Sequence, residues 1–129
     1  MNRRVLLFAA ISGFLGVALG AFGAHALKGT MEKNLWDAYQ TGNRYQMYHT
    51  LAIVFLQILQ SKQPGKLVIW SIRLFTIGIC LFSGSLYLMA IFGFKKLGII
   101  TPIGGISLLV AWALFGLHIW KTEPKDEIQ

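Results

Sequence analysis

Acidic residues are scarce in this chain. Glu32, Asp37, Glu123, Asp126 and Glu127 are the whole set, and none of them falls inside an apolar run. A buried Ser-His-Asp arrangement is therefore excluded, because a serine in those runs has no carboxylate to orient its histidine. Cysteine is reduced to Cys80, which rules out an internal disulfide and a zinc site built on cysteines. No glycine-rich phosphate loop follows a strand pattern, and HExxH does not occur. These absences argue against an enzyme. Charged residues make up 13% of the chain, about half the share of an ordinary soluble domain.

Apolar residues supply what charge does not, at 55% of the chain. They gather in four stretches, Val5 to Leu27, Tyr45 to Gln60, Leu67 to Phe94 and Pro102 to Trp120. A bilayer's hydrocarbon core of about 30 Å takes about 20 such residues per helix. The reading is an all-α polytopic membrane protein, an antiparallel bundle of four transmembrane helices forming a single membrane domain over residues 1–129. The first run imitates a secretory signal, with Arg3 and Arg4 ahead of it and Ala24-His25-Ala26 near its end. At 23 residues it exceeds the apolar region of such signals, about 7 to 15, so an uncleaved helix is expected. The net charge of +7 is scattered through every loop rather than collected on one face. That points to membrane lipids with anionic headgroups as partners, and away from nucleic acid.

Four crossings set both termini on one side of the membrane. Arg3, Arg4, Lys62, Lys66, Lys121 and Lys125, with Arg73 just inside the third run, lie on the termini side. Lys28, Lys33, Arg44, Lys95 and Lys96 lie opposite, so the positive-inside rule favours cytoplasmic termini in the inner membrane. Ser12, Gly16, Gly20 and Ala24 recur every four residues with Gly13 beside them, a groove of small residues that lets another helix approach. The groove seats either a neighbouring helix of the same chain or a second copy. Gly84, Gly104 and Gly105 are read as further packing positions. Met31 to Gly42 carries Met31, Leu35, Ala38 and Tyr39 on one stripe, which predicts an amphipathic interfacial helix capped by Thr30, with Trp36 at headgroup depth and the second span starting near Arg44. Ser61 to Lys66, with Pro64-Gly65, predicts a tight turn. Thr101-Pro102 predicts an N-cap and first helical residue for the fourth span.

Polar residues inside the spans are few and patterned. Arg73, Thr76, Cys80, Ser83 and Tyr87 follow one another at three- and four-residue steps, a single stripe expected to point into the bundle. Arg73 is close enough to Lys66 for its side chain to snorkel to the headgroups, and His118 is read as interfacial beside Lys121. On the second span Tyr45, Gln46, His49, Thr50, Gln57 and Gln60 occupy one side. The topology gathers His25, Tyr45, Gln46, His49, Ser83, Ser85, Tyr87 and Thr101 in the half of the membrane opposite the termini. They are the candidate ligand-binding residues, expected to form one hydrogen-bonded network in which His49 reaches Ser83 or Tyr87.

Gly20-Ala21-Phe22-Gly23-Ala24-His25-Ala26-Leu27, Tyr45-Gln46-Met47-Tyr48-His49, Leu81-Phe82-Ser83-Gly84-Ser85-Leu86-Tyr87, and Thr101-Pro102-Ile103-Gly104-Gly105 with Trp112 resemble, in order, the signatures of the YgdD/YwdK-like family of small bacterial membrane proteins, which has animal relatives. The resemblance implies a four-helix inner-membrane protein and supplies no activity and no catalytic residue.

The residues leave three functions open. The first is a non-enzymatic membrane protein whose polar cluster binds a small ligand, a lipid or a partner membrane protein. The second is a transporter or channel subunit, which four helices can form only as an oligomer. The third is a haem or metal protein ligated by His25 and His49, whose rings close one helix and open the next; otherwise no cofactor and no metal is expected.

Overall fold

A computed structural model of the protein describes residues 1–122; Lys125, counted above with the basic residues of the termini side, and the acids Glu123, Asp126 and Glu127 lie outside the described residues. Among the described residues the chain is all helix, without strands. Four rods follow one another: α1 Arg3–Leu27, α2 Lys33–Lys62, α3 Lys66–Phe92 and α4 Lys95–Lys121. Three of them, α1, α3 and α4, are long and apolar enough to cross a membrane. Large apolar side chains face outward, with Phe14, Ile99 and Leu109 each at least 70% exposed, as lipid-facing surfaces require.

Asn2 starts α1, its side-chain oxygen accepting the backbone N–H groups of Arg4 and Val5 at 3.0 and 3.4 Å. The last turn of α1, Gly23–Leu27, widens to a π-helix where the Tyr39 ring lies against Gly23. Thr30 then ends α1 rather than capping α2: its hydroxyl donates to the Leu27 carbonyl at 2.7 Å. A separate interfacial helix and a new start near Arg44 are not what forms. Lys33–Lys62 is one uninterrupted helix of 30 residues. Gly42 does not break it, because its bare Cα lets α3 come close; a Cβ there would sit 3.1 Å from that of Leu86. Trp36 stacks on Tyr39 at 5.7 Å instead of standing alone in the headgroups. Arg44 in consequence lies eleven residues inside α2, not at its end.

The turn of residues 63–65 joins α2 to α3, with the Gly65 N–H donating to Gln60 Oε1 at 3.0 Å. α3 is interrupted by a π-turn at Ile79–Ser83 and closed by Gly93 in the left-handed conformation, φ 71°. α4 opens with a 3₁₀ turn at Lys95–Ile99, so Thr101 is already inside the helix and does not cap it. Its hydroxyl lies 3.4 Å from the Leu97 carbonyl of its own helix. Pro102 is tolerated because the first turn has N–H groups to spare.

Consecutive rods run antiparallel. Ala9, Ile53, Leu56, Val68, Ile72, Phe75, Ile79, Leu108 and Ala111 form the shared core. α3 and α4 are clamped by two reciprocal bonds, Ser71 to the Ala111 carbonyl and Ser107 to the Leu74 carbonyl, both 2.7 Å. Gly104 brings α4 onto the α3 backbone, where a Cβ would lie 2.8 Å from the Leu81 carbonyl carbon. His118 is buried against Gly65, in the turn that joins α2 to α3.

Candidate functional site

α2 turns Tyr39, Gln46, His49, Thr50 and Gln57 inward along one face. Amide, hydroxyl and imidazole groups among apolar helices need partners, and here they find them mostly on α1. Gln46 Nε2 donates to the Ser12 carbonyl at 2.9 Å, and the Ser12 and Thr50 hydroxyls meet at 2.7 Å. Tyr87 of α3 donates to Gln46 Oε1 at 2.6 Å and accepts from Asn43 Nδ2 at 3.1 Å, while the same Asn43 amide donates to the Gly16 carbonyl at 2.7 Å. Tyr39 donates to the Leu19 carbonyl. The small residues of α1 thus expose backbone carbonyls as acceptors as well as making room.

His49 belongs to a different set. Trp112 Nε1–H of α4 donates to its Nε2 at 3.1 Å, and its Nδ1 lies 2.6 Å from the Tyr45 carbonyl. An indole N–H can only donate and a carbonyl can only accept, so the ring is the neutral tautomer with its proton on Nδ1. Phe75 and Trp112 enclose it, with ring centroids at 5.4 and 6.0 Å. Both nitrogens are committed, and neither Ser83 nor Tyr87 is among their partners. The single expected network is therefore divided, because Gln46 and His49 sit three residues apart on α2 and look toward α1 and α4 respectively.

His25 joins neither. It is exposed at the end of α1. The register that sets Ser12 against Thr50 and Gly20 against Asn43 sets His25 near Asp37, about twelve residues or about 18 Å along α2 from His49. The two histidines do not approach each other. Their separation follows from α2 starting at Lys33. Ser85 and Thr101 form a third, separate pair, hydroxyl to hydroxyl at 2.5 Å, and Tyr45 stacks on Phe82 at 4.8 Å on the outer surface.

The stripe on α3 points into the bundle only at its far end, where Ser83 is buried and Tyr87 bonds Gln46. Arg73 and Cys80 are exposed, while Ser71, Ile72, Phe75 and Gly78 are the buried residues. Cys80, Ser83 and Tyr87 border an open seam between α1 and α3. There, Phe8, Ile11, Ser12, Leu15 and Leu19 of α1 face Ile79, Cys80, Ser83, Gly84 and Tyr87 of α3 across a groove of ≈ 230 Å³ floored by Gln46. A π-turn carries one residue more than an α-turn, and this one brings Ser83 to the bottom of the groove, 2% exposed. Its hydroxyl has no hydrogen-bond partner among the described residues. Gly84, expected to pack a helix, instead keeps the groove open, since a Cβ there would meet nothing within 4 Å. Gly13, Gly16 and Gly20 do lie against α2, and Gly105 against the Phe82 ring.

Sequence reasoning missed Asn43, assigned to a loop, and Ser12, taken only as a small residue. Trp112 entered only through the family resemblance. Asn43 and Gln46 three residues apart, with Ser12 and Gly16 four apart on the preceding helix, carried the signal for the first two.

Comparison with known proteins adds the following. Residues 19–105 match the family described as protein of unknown function (DUF423). The chain is 46% identical over 113 residues to the UPF0382 inner membrane protein YgdD of Escherichia coli, covering 88% of this chain and 86% of that protein. It is 41% identical over 123 residues to a UPF0382 membrane protein of Haemophilus influenzae, covering 95% and 98%. The UPF0382 membrane protein YwdK of Bacillus subtilis is 38% identical over 113 residues, covering 84% and 89%. No solved structure matches the chain.

Proposed function

The chain belongs to the DUF423 family and is an integral inner-membrane protein, and from that premise we propose that it is a non-enzymatic binder of a lipid-like ligand, seated in the seam between α1 and α3. All four rods cross the bilayer, α2 as the central helix whose polar face is turned to its neighbours. The ligand is an amphiphile with one hydroxyl or carbonyl group on an otherwise apolar body.

One observation carries this reading. Of the polar groups in the groove, Ser12, Gln46 and Tyr87 are engaged with one another or with Thr50 and Asn43, whereas the buried Ser83 hydroxyl has no partner. A buried hydroxyl without a partner is costly, and because the Ser83 Oγ lies just beneath the groove surface, a ligand oxygen satisfies it only with a small shift of the side chains that cover it. The groove is somewhat smaller than the about 300–1,000 Å³ usual for ligand pockets, so it suits one chain or a small ring. It opens sideways, toward lipid, and not along a pore.

Mass spectrometry of organic extracts from the gently purified protein tests the proposal. The wild type is expected to retain one amphiphile that Gly84→Leu, whose Cβ has open space and whose side chain narrows the groove, does not retain. Ser83→Ala should weaken retention by about fivefold, the worth of one hydrogen bond of about 1 kcal/mol. Equal retention by the wild type and Gly84→Leu, or no retained amphiphile at all, would sink it.

A further inference from the structure

At the termini end of the same seam lies a second cavity, of ≈ 390 Å³, walled by Met1, Asn2 and Val5 of the start of α1, Gln57, Gln60 and Ser61 of α2, and Ile69, Ile72 and Arg73 of α3. Its chemistry is fixed by what its amides already do. Asn2 Oδ1 accepts the N–H groups of Arg4 and Val5. Gln57 Oε1 accepts the N–H of Asn2 at 2.9 Å. Gln60 Oε1 accepts the N–H of Gly65 at 3.0 Å. A backbone N–H can only meet the amide oxygen, so none of the three amides can be flipped, and none of their NH₂ groups donates to another of the described residues.

Arg73 adds a permanent positive charge to these three donors. Its guanidinium lies over the Trp70 ring at 4.9 Å and has no hydrogen-bond acceptor among the described residues. The described acids, Glu32 and Asp37, are at the opposite end of the molecule. A cavity walled by three such amides and an arginine is complementary to an anion with several acceptor oxygens. Val5, Ile69 and Ile72 make the rest of its wall apolar, and Arg73 lies seven residues, about 10 Å, along α3 from Lys66, at the depth where headgroups meet acyl chains.

We infer that this cavity is a binding site for the phosphate of an anionic phospholipid, with Arg73 as the charged contact and Asn2, Gln57 and Gln60 as neutral donors. The site is distinct from the groove at Ser83 and does not depend on what occupies that groove.

Native mass spectrometry of the full chain from nanodiscs of mixed phosphatidylglycerol and phosphatidylcholine tests it. The wild type should retain phosphatidylglycerol selectively. Arg73→Gln should lower that retention by about tenfold or more, as loss of a charged hydrogen bond implies. Lys66→Gln, a nearby cation outside the cavity, should lower it by no more than about fivefold, the diffuse effect of one surface charge. Gln60→Glu keeps the acceptor for Gly65 but replaces the donor with a second acceptor, and should abolish retention while helicity by circular dichroism is unchanged. Excess inorganic phosphate should leave the bound lipid in place; displacement by phosphate would overturn the assignment to a lipid. Absent selectivity in the wild type, or equal losses for Arg73→Gln and Lys66→Gln, would overturn the site.

Discussion

Tyr87 joins three helices through one oxygen, donating to Gln46 and accepting from Asn43, which in turn holds the Gly16 carbonyl. Tyr87→Phe removes that oxygen and strips Gln46 Oε1 of its donor. The expected cost is about 1–2 kcal/mol, above the average interhelical bond in a membrane because the acceptor left behind is buried. An unchanged thermal midpoint in detergent would show that water or another donor replaces it. Trp112→Phe should act likewise on His49, costing about 1–3 kcal/mol by leaving Nε2 unpaired. Nitrogen NMR of the wild type should find the His49 proton on Nδ1; a proton on Nε2 would contradict the Trp112 bond. These residues show what was legible. Gln46, His49, Thr50 and Tyr87 are visible as polar residues at helical spacing in apolar runs. Their pairing is not, because a shift of one residue along α2 turns a side chain by about 100°, and only the register against α1 and α4 decides which neighbour it meets.

At the scale of elements, glycines set how closely the rods approach, and they are not equivalent. A Cβ on Gly104 meets the backbone of Leu81 and Phe82, which cannot move aside, whereas on Gly16 it meets the flexible end of Met47. Gly104→Ala should therefore cost about 3 kcal/mol or more, and Gly16→Ala less than about 1, with Gly84→Ala neutral or stabilising because it adds helix propensity in open space. Equal midpoints for Gly104→Ala and Gly84→Ala would mean that α3 and α4 are not in contact there. Spacing alone ranks these positions together. The existence of α1, α3 and α4 was plain from apolar length, but the π-turn at Ile79–Ser83 was not, since no residue in Ile79-Cys80-Leu81-Phe82-Ser83 breaks a helix. It forms where Gly42 and Gly104 let α2 and α4 press on α3 from two sides.

For the whole molecule the decisive element is α2. Its first three turns, with Lys33, Asn34, Asp37, Gln40, Asn43 and Arg44, are polar enough for headgroups, and the apolar remainder from Tyr45 to Gln60 is about 24 Å long at 1.5 Å per residue. That is short of a 30 Å core, so the crossing proposed for α2 requires its polar turns to sit in the interface and the bilayer to thin beside them. Leu51 and Phe55 test this, because they are 64% and 54% exposed on the protein surface, where a membrane-crossing helix would set them against lipid. In a Cys80→Ser background, Gln40→Cys should react with a membrane-impermeant maleimide and Leu51→Cys should not. Reaction at position 51 would remove α2 from the membrane and leave three crossings. The same reagent reads orientation. Arg3, Arg4, Lys62, Lys66 and Lys121 share one end of the rods, and with Arg73 they outweigh the cations at the other, which favours cytoplasmic termini. Position 40 should then be labelled from outside once the reagent has access to the inner membrane's outer face. Labelling only after the cells are opened would reverse the topology and move the Ser83 groove to the cytoplasmic leaflet.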